Sequence, residues 1–416
     1  MSTLFLSWGI AAAATAGVIS RPFKWPEAIW AVGGALLLVS LRLLPVDLAI
    51  QAIEKGTDVY LFLFGMMVLS EVGRREGLFD WVAVLAVNHA KGSPRKLFLL
   101  VYLVGVVITA FLSNDAAAVV LTPAVFAAAR KAKTHPLPLL FVCAFIANAA
   151  SFVLPISNPA NLVLYGNHTP ALGPWLMRFT LPSLLSIAAT YVLLRWTQRE
   201  ALAGVCEADL KPLELSSSGR VALAGIAVTA VVLLTVSAYD MPLGLPTAIL
   251  GALTATVVLI QERKSPLPMV KEISWSVLPL VAALFVLVEV LGHTGVITTL
   301  ASAVQRATQH SDLATAASAG GIIAIVSNLM NNLPAGLIAS STVMQAHSAE
   351  RVIDALLIGV DLGPNLSITG SLATILWLNA IRREGEDVSF MKFLKVGVVV
   401  MLPALALALA ARILTG

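Results

Sequence analysis

The chain has 416 residues, of which 58% are hydrophobic and only 12% charged, with a mean hydropathy of +0.89. No single water-soluble core can hide that much apolar surface, so the composition excludes a soluble globular protein and indicates one polytopic membrane domain. The formal charge of +4 is spread over short connections between apolar runs, where it reports orientation rather than a nucleic-acid partner.

Apolar runs long enough to cross about 30 Å of hydrocarbon, roughly 20 residues each, recur from end to end. They are expected at 3–20, 25–44 and 57–73, then at 96–130, which is apolar on both sides of Ser113-Asn114-Asp115. Next come 137–165, interrupted at PISNPAN, and 174–196. A second series follows at 220–238, 243–260, 276–292, a broken 315–345, an interrupted 352–379 and 390–413. The first run, LFLSWGIAAAATAGVIS, has no basic leader and no cleavage site, and is read as a retained helix rather than a signal peptide. The stretch RREGLFDWVAVLAVNHAKGSPRK is amphipathic and basic at both ends. It is either a helix on the cytoplasmic surface or the start of the next element.

The two series are copies of one pattern. Glu71-Val72 and Gly77-Leu78 recur as Glu289-Val290 and Gly295-Val296 at a shift of 218; Pro26, Ala28 and Ile29 match Pro246, Ala248 and Ile249 at 220. Ser113-Asn114 matches Ser327-Asn328 at 214, and SNPAN (157–161) matches GSLAT (370–374) at 213. With 96–130 and 315–345 as hairpins that enter and leave by one face, each half has five crossings, and an odd number inverts the second half. The expected fold is therefore all-α, with two inverted repeats, each of five transmembrane helices including one broken helix, plus one re-entrant hairpin. That makes about ten transmembrane helices in one membrane domain: 1–198, a cytoplasmic linker 199–219, and 220–416. This topology puts 21 of the 27 Lys and Arg on one face, leaving Arg42, Lys55, Arg178, Arg306, Arg351 and Arg412 on the other. The basic face is cytoplasmic by the positive-inside rule, so both termini are expected outside an inner, plasma-type membrane.

Backbone that leaves the helical path inside a bilayer survives only where protein or a wet cavity satisfies it. Four places do so here: Ser113-Asn114-Asp115; Ser157-Asn158-Pro159-Ala160-Asn161; Ser327-Asn328 with Asn331-Asn332-Leu333-Pro334; and Gly363-Pro364-Asn365 to Thr369-Gly370-Ser371. Each alone fits Ser and Asn that merely knit helices together. Four matched breaks fit better a polar site near the midplane, lined by helix ends and carboxamides. Asp115 and Asp361 are the intramembrane carboxylates, and one of them would carry a coupling proton; the alternative is a carboxylate tied to broken-helix amides that never titrates. No Lys or Arg falls within 105–129, 137–177, 313–350 or 352–381, which favours a neutral polyol-like solute or a cation over a carboxylate. Glu71 and Glu289, at equivalent helix ends, are expected to be hydrated at the interface.

The six histidines fall in or near connections without metal-ligand spacing, and Cys143 and Cys206 are 63 residues apart. No metal site, disulfide framework or cofactor is expected. Nor is there a phosphate-binding loop, so energy is expected from an ion gradient or a separate subunit.

At these residues the sequence resembles the ArsB-type arsenite and antimonite efflux permeases of the ion-transporter superfamily. The resemblance rests on FLSNDAAAVVLTPAV (111–125), ISNPANLV (156–163), VSNLMNNLPAGLIA (326–339) and DLGPNLSITGSLATILWL (361–378). It implies export of uncharged arsenous and antimonous acids driven by inward proton movement, and, in some relatives, docking of a cytoplasmic arsenite-stimulated ATPase. The binding residues it implies are Ser113, Asn114, Asn158, Asn161, Asn328, Asn331, Asn332, Thr369 and Ser371, with Asp115 as first proton carrier and Asp361 as second. A sodium-coupled carboxylate transporter or a sodium/proton antiporter on the same fold is the alternative transport reading, and an embedded enzyme the alternative class, although no nucleophile with a nearby base is evident.

Overall fold

The computed structural model describes residues 2–207 and 210–415. Within the linker 199–219, Ala208 and Asp209 lie outside the described residues. Regular structure is entirely helical among the described residues. The first series runs α1 (Ser2–Ser20), α2 (Glu27–Ser40), α3 (Val46–Lys55), α4 (Thr57–Arg75), α5 (Leu78–Ala90) and α6 (Pro94–Phe111). It continues with α7 (Asn114–Ala116), a π-helical stretch Ala117–Leu121, α8 (Thr122–Lys131), α9 (Pro136–Ala149), α10 (Pro159–Tyr165) and α11 (Leu172–Thr197). The second runs α12 (Ser217–Ala238), α13 (Gly244–Glu262), α14 (Leu267–Glu272), α15 (Val277–His293), α16 (Val296–His310), α17 (Asp312–Met330), α18 (Asn332–Ala346), α19 (Glu350–Leu362), α20 (Leu372–Arg383) and α21 (Phe390–Leu414). Element for element the order is the same. Even the interior prolines of the last helices correspond, Pro182 in α11 and Pro403 in α21.

Several expectations are corrected. The run 25–44 is helical only over Glu27–Ser40. At about 1.5 Å per residue, those 14 residues span some 21 Å, short of a direct crossing. Pro45 then starts α3, a short helix that exposes Val46, Ile50 and Ile53 and meets α4 at 49°. Its two carboxylates and brevity hid it from a search for 20-residue runs, and brevity likewise hid its six-residue counterpart α14. The amphipathic stretch after Arg75 is a separate helix, α5. Its counterpart α16, which bends 71° from α15, lies where the sequence reading left a connection. Both begin after a glycine with positive φ, Gly77 (71°) and Gly295 (83°), a conformation glycine adopts without steric cost.

Among the described residues, seven helices are long and apolar enough to cross a membrane, or up to nine if each bent pair is one span; the sequence suggested about ten. The seven include α6 and α17, which the sequence reading made arms of hairpins, so length alone does not separate crossing from re-entry. What marks them as hairpin arms is the sharp break that follows and the packing of α18 back onto α17, and of α7 onto α6.

The broken helices occupy the centre. Nearly every residue of α9 and α19 is buried, whereas α1 and α11 are buried over only 28% of their apolar windows and turn the rest outward to lipid. The halves interlock, α4 packing on α13 and α2 on α15. Gly65 allows the first contact, since a Cβ there would lie 2.2 Å from the Thr247 carbonyl oxygen. The linker is tied down at the end carrying Lys91 and Lys133: Cys206 N–H donates to Gly92 O at 3.0 Å and Glu207 N–H to Ala132 O at 2.8 Å. The Glu207 carboxylate bonds Lys133 at 2.5 Å and holds its ammonium pKa above the usual value.

Candidate functional site

Four half-helices start at the four breaks, and each is capped by a Ser or Asn, residue types whose side chains accept the free N–H groups of a first turn. Ser113 Oγ accepts Ala116 N–H at 3.4 Å and Asn158 Oδ1 accepts Ala160 N–H at 3.0 Å. Asn331 Oδ1 accepts Leu333 N–H at 3.3 Å and Ser371 Oγ accepts Thr374 N–H at 3.1 Å. The hairpin breaks carry positive φ at non-glycine residues, 155° at Ser113 and 75° at Asn331. These two positions differ by 218, so the second break lies four residues beyond the Ser327-Asn328 pair that the sequence match proposed. Ser327 and Asn328 sit in the last turn of α17 instead.

The first residues of all four half-helices line one gap of about 10 Å³: Asn114 and Asp115, Asn158 and Pro159, Asn332 and Leu333, Leu372 and Ala373. Four positive helix ends therefore converge on a space that holds about one water. Above it opens a cleft of about 610 Å³ between α4, the first hairpin, α20 and the segment 271–277, with Ser113 and Asp115 on its floor. At its mouth are Arg74, Lys271 and Arg383, all on the face expected to be cytoplasmic. Asp115 is half-buried, lines both cleft and gap, and has no ion-pair partner among the described residues.

On the other side of the gap lies a second cavity of about 220 Å³. Its lining repeats that of the cleft: Phe285, Glu289, Leu337, Ser341 and Val163 stand where Met67, Glu71, Val119, Pro123 and Leu376 stand in the cleft, at shifts of 218 or 213.

The expected site residues divide into two groups. Ser113, Asn114, Asp115, Asn158 and Asn332 line the cleft or gap, and Asn331 and Ser371 cap the adjoining helices. Asn161, Asn328, Thr369 and Asp361 line neither. Asn161 Nδ2 donates to the carbonyls of Ser151, Leu154 and Pro155 at 2.9, 3.2 and 3.3 Å. Asn328 Nδ2 donates to Ala324 O and Gly363 O, its Oδ1 accepts from Ser367, and its carbonyl accepts from Thr369. These side chains hold the unwound backbone of the two breaks, work that an intramembrane break requires. Asp361 is wholly buried and accepts from Asn158 Nδ2 at 2.8 Å.

Sequence reasoning missed a buried ionic cluster. Asp354, 0% exposed, accepts from Arg412 Nη2 at 2.6 Å and Nε at 2.7 Å, and from the Tyr165 hydroxyl; Arg178 lies 3.8 Å away and bonds Glu350 at 2.6 Å. The signal was present: opposite charges inside two apolar runs, with Asp354 and Asp361 seven residues apart on one face of α19. Glu71 is a second correction. It lines the cleft but is only 8% exposed, gripped by Arg74 through two bonds of 2.7 and 2.8 Å, with Arg75 at 3.2 Å. Its counterpart Glu289 is partly exposed and pairs with Lys55 at 2.8 Å.

Comparison with known proteins places this architecture. The arsenical pump membrane protein of Yersinia enterocolitica is 26% identical over 358 residues, 83% of each chain, and that of Escherichia coli K12 is 25% identical over 395 residues, 91% of each. In fold the chain is similar to the Alcanivorax borkumensis YdaH transporter, with a TM-score of 0.59 at 15% identity, covering 99% of this chain and 98% of that one. It is also similar to Neisseria gonorrhoeae MtrF, with a TM-score of 0.55 at 14% identity, covering 91% and 84%. The CitMHS family model, described as citrate transporter, matches residues 15–360, and the chain, a multi-pass membrane transporter, belongs to that family.

Proposed function

We propose that the chain is a secondary active transporter that exports the neutral hydroxides of trivalent arsenic and antimony in exchange for protons. The observation that carries this reading is the floor of the cleft, where four helix starts and three carboxamides meet one carboxylate and no Lys or Arg. Arsenous acid offers three hydroxyls, whose oxygens accept from helix N–H groups and Asn Nδ2 and whose protons go to Asn Oδ1 or Asp115. A citrate trianion would have to lie against Asp115 without a cation to offset either, a combination that burial penalises heavily. The names of the curated relatives agree with an arsenical solute.

In this reading the halves 1–198 and 220–416 are inverted repeats joined by the cytoplasmic linker 199–219, both termini are external, and the chain sits in a plasma-type membrane. Solute enters the wide cleft from the cytoplasm, binds among Ser113, Asn114, Asn158 and Asn332, and leaves through the smaller opposite cavity. The coupling proton is carried by Asp115 or Asp361. A docked arsenite-stimulated ATPase, implied by the resemblance, would add ATP hydrolysis to the same path. Arsenite uptake into everted vesicles with an acidic lumen tests the reading: accumulation that collapses with the pH gradient, and no citrate uptake, is expected. Citrate transport without arsenite transport would replace it.

A further inference from the structure

Around the break between α9 and α10, three acceptor oxygens are buried and have no donor among the described residues: Asn148 Oδ1, Asn161 Oδ1 and Asp361 Oδ2. All three residues are 0% exposed. Their amide orientations are dictated by neighbours rather than free to flip. Asn161 Nδ2 is spent on three carbonyls. Asn148 Nδ2 donates to Asn365 Oδ1 at 3.0 Å, and Asn365 Nδ2 in turn to Phe145 O at 2.8 Å. Asn158 uses Oδ1 as a cap, so its Nδ2 must face Asp361. Reversing any one of them would set acceptor against acceptor.

Ser151 joins the three. Its carbonyl accepts from Asn161, its hydroxyl donates to Asn148 O at 2.8 Å, and that hydroxyl also faces the Asp361 carboxyl. The result is a pocket of lone pairs with one carboxylate and nothing positive. Titratable and charged side chains on the elements packed against α19 are Asp312 on α17, Cys143 on α9, Tyr165 on α10, and Lys392, Lys395 and Arg412 on α21. Tyr165 and Arg412 are engaged by Asp354, two turns away on α19. Cys143 Sγ bonds its own helix at Leu139 O, and Asp312, Lys392 and Lys395 are exposed. None forms an ion pair with Asp361.

Buried acceptors in this number call for a donor or a cation among them, and the buried carboxylate in particular calls for a positive charge. We propose that Asp361, Asn148, Asn161 and Ser151 form a binding site for a single monovalent positive charge, held either as a proton on Asp361 or as a dehydrated sodium ion among the same oxygens. One carboxylate among neutral oxygens matches one charge and leaves a divalent ion undercompensated. The site deepens the transport reading above, on which its coupling role rests, by assigning the coupling ion to Asp361 rather than Asp115. The link to solute is direct: Asn158 lines the substrate gap and donates to Asp361, so occupancy of one site sets the side chain presented to the other.

Binding is testable without any arsenical. The full chain, purified in detergent, is melted across pH in choline chloride and, at alkaline pH, with added sodium chloride. Wild type is expected to melt several degrees lower at alkaline than at acid pH in choline. Asp361→Asn, which brings the missing N–H donor, is expected to melt as high as acid wild type at every pH and to ignore sodium. If Asp361→Asn does not accumulate, Asp361→Ser removes the same charge and keeps a hydroxyl donor. Restoration of wild type by sodium assigns the site to sodium as well as protons, and pH dependence alone assigns it to the proton. An identical pH profile in wild type and the neutral variant, with no sodium effect that depends on Asp361, overturns the proposal and leaves the arsenite reading standing.

Discussion

Among the described residues, Asp115 is the only acidic one common to the cleft and the gap beneath it, and its neighbours on the hairpin are uncharged. With Asp115 at the solute and the coupling ion on Asp361, Asp115→Asn is expected to weaken arsenite transport, whereas Asp361→Asn removes proton-driven accumulation while the protein still reaches the membrane. One proton descending 100 mV contributes about 2.3 kcal/mol, roughly a fiftyfold gradient, so the loss is readily measured in vesicles. Asp354 makes the opposite prediction, since it lines neither the cleft, the gap nor the opposite cavity and is engaged by Arg412 and Tyr165. Arg412→Leu leaves the buried Asp354 carboxylate with only the Tyr165 hydroxyl and Arg178 at 3.8 Å, and is expected to cost about 3 kcal/mol, read as a lower melting temperature and poor yield. The double variant Asp354→Leu, Arg412→Leu should recover much of that loss, because the penalty belongs to the orphaned charge rather than to the lost pair. Among single residues, the polar breaks were legible because Ser, Asn and Asp stand out in an apolar run. Which of them face the cavity was not legible. Asn158 and Asn161 are chemically identical and three residues apart, yet only the fold shows that one reaches the gap while the other holds three carbonyls.

At the scale of elements, the second hairpin turns on Asn331, held at φ 75° and ψ 152°. Glycine adopts that backbone without strain and a β-branched residue does not. Asn331→Gly should therefore keep the fold with a modest loss from the missing cap, and Asn331→Val should cost about 1–3 kcal/mol more; thermal melts of the two purified variants check the order. The sequence reading spread this break over Ser327-Asn328 and Asn331-Asn332, and the repeated dipeptide aligned Ser113-Asn114 with Ser327-Asn328. The actual equivalence, Ser113 with Asn331, pairs two different residues that do the same capping work. Identity is thus a poorer guide than chemistry when a cap needs only a short side-chain acceptor. The short helices α3, α14 and α16 escaped notice for a related reason: at 10, 6 and 15 residues they fall below the length of a membrane-spanning run.

For the whole molecule, the two unequal cavities with matched linings are what an inverted pair of repeats requires when one side is open and the other closed. With Cys143 and Cys206 replaced, a cysteine at Ser70 in the wide cleft is expected to react with a membrane-impermeant thiol reagent from the cytoplasmic side only. A cysteine at Ser341 in the opposite cavity should react from outside only, and more slowly. Reaction of both from one side would refute the inverted arrangement. Membrane residence, helical class, the repeated order of elements and the neighbourhood of each break were determined by sequence alone, because hydrocarbon tolerates so few polar residues that each one in an apolar run signals a constraint. Their division of labour was decided only in three dimensions. Which Asn caps, which staples and which lines the gap, and that Asp354 finds Arg412 58 residues away, depend on contacts between helices distant in the chain. No local pattern encodes such contacts.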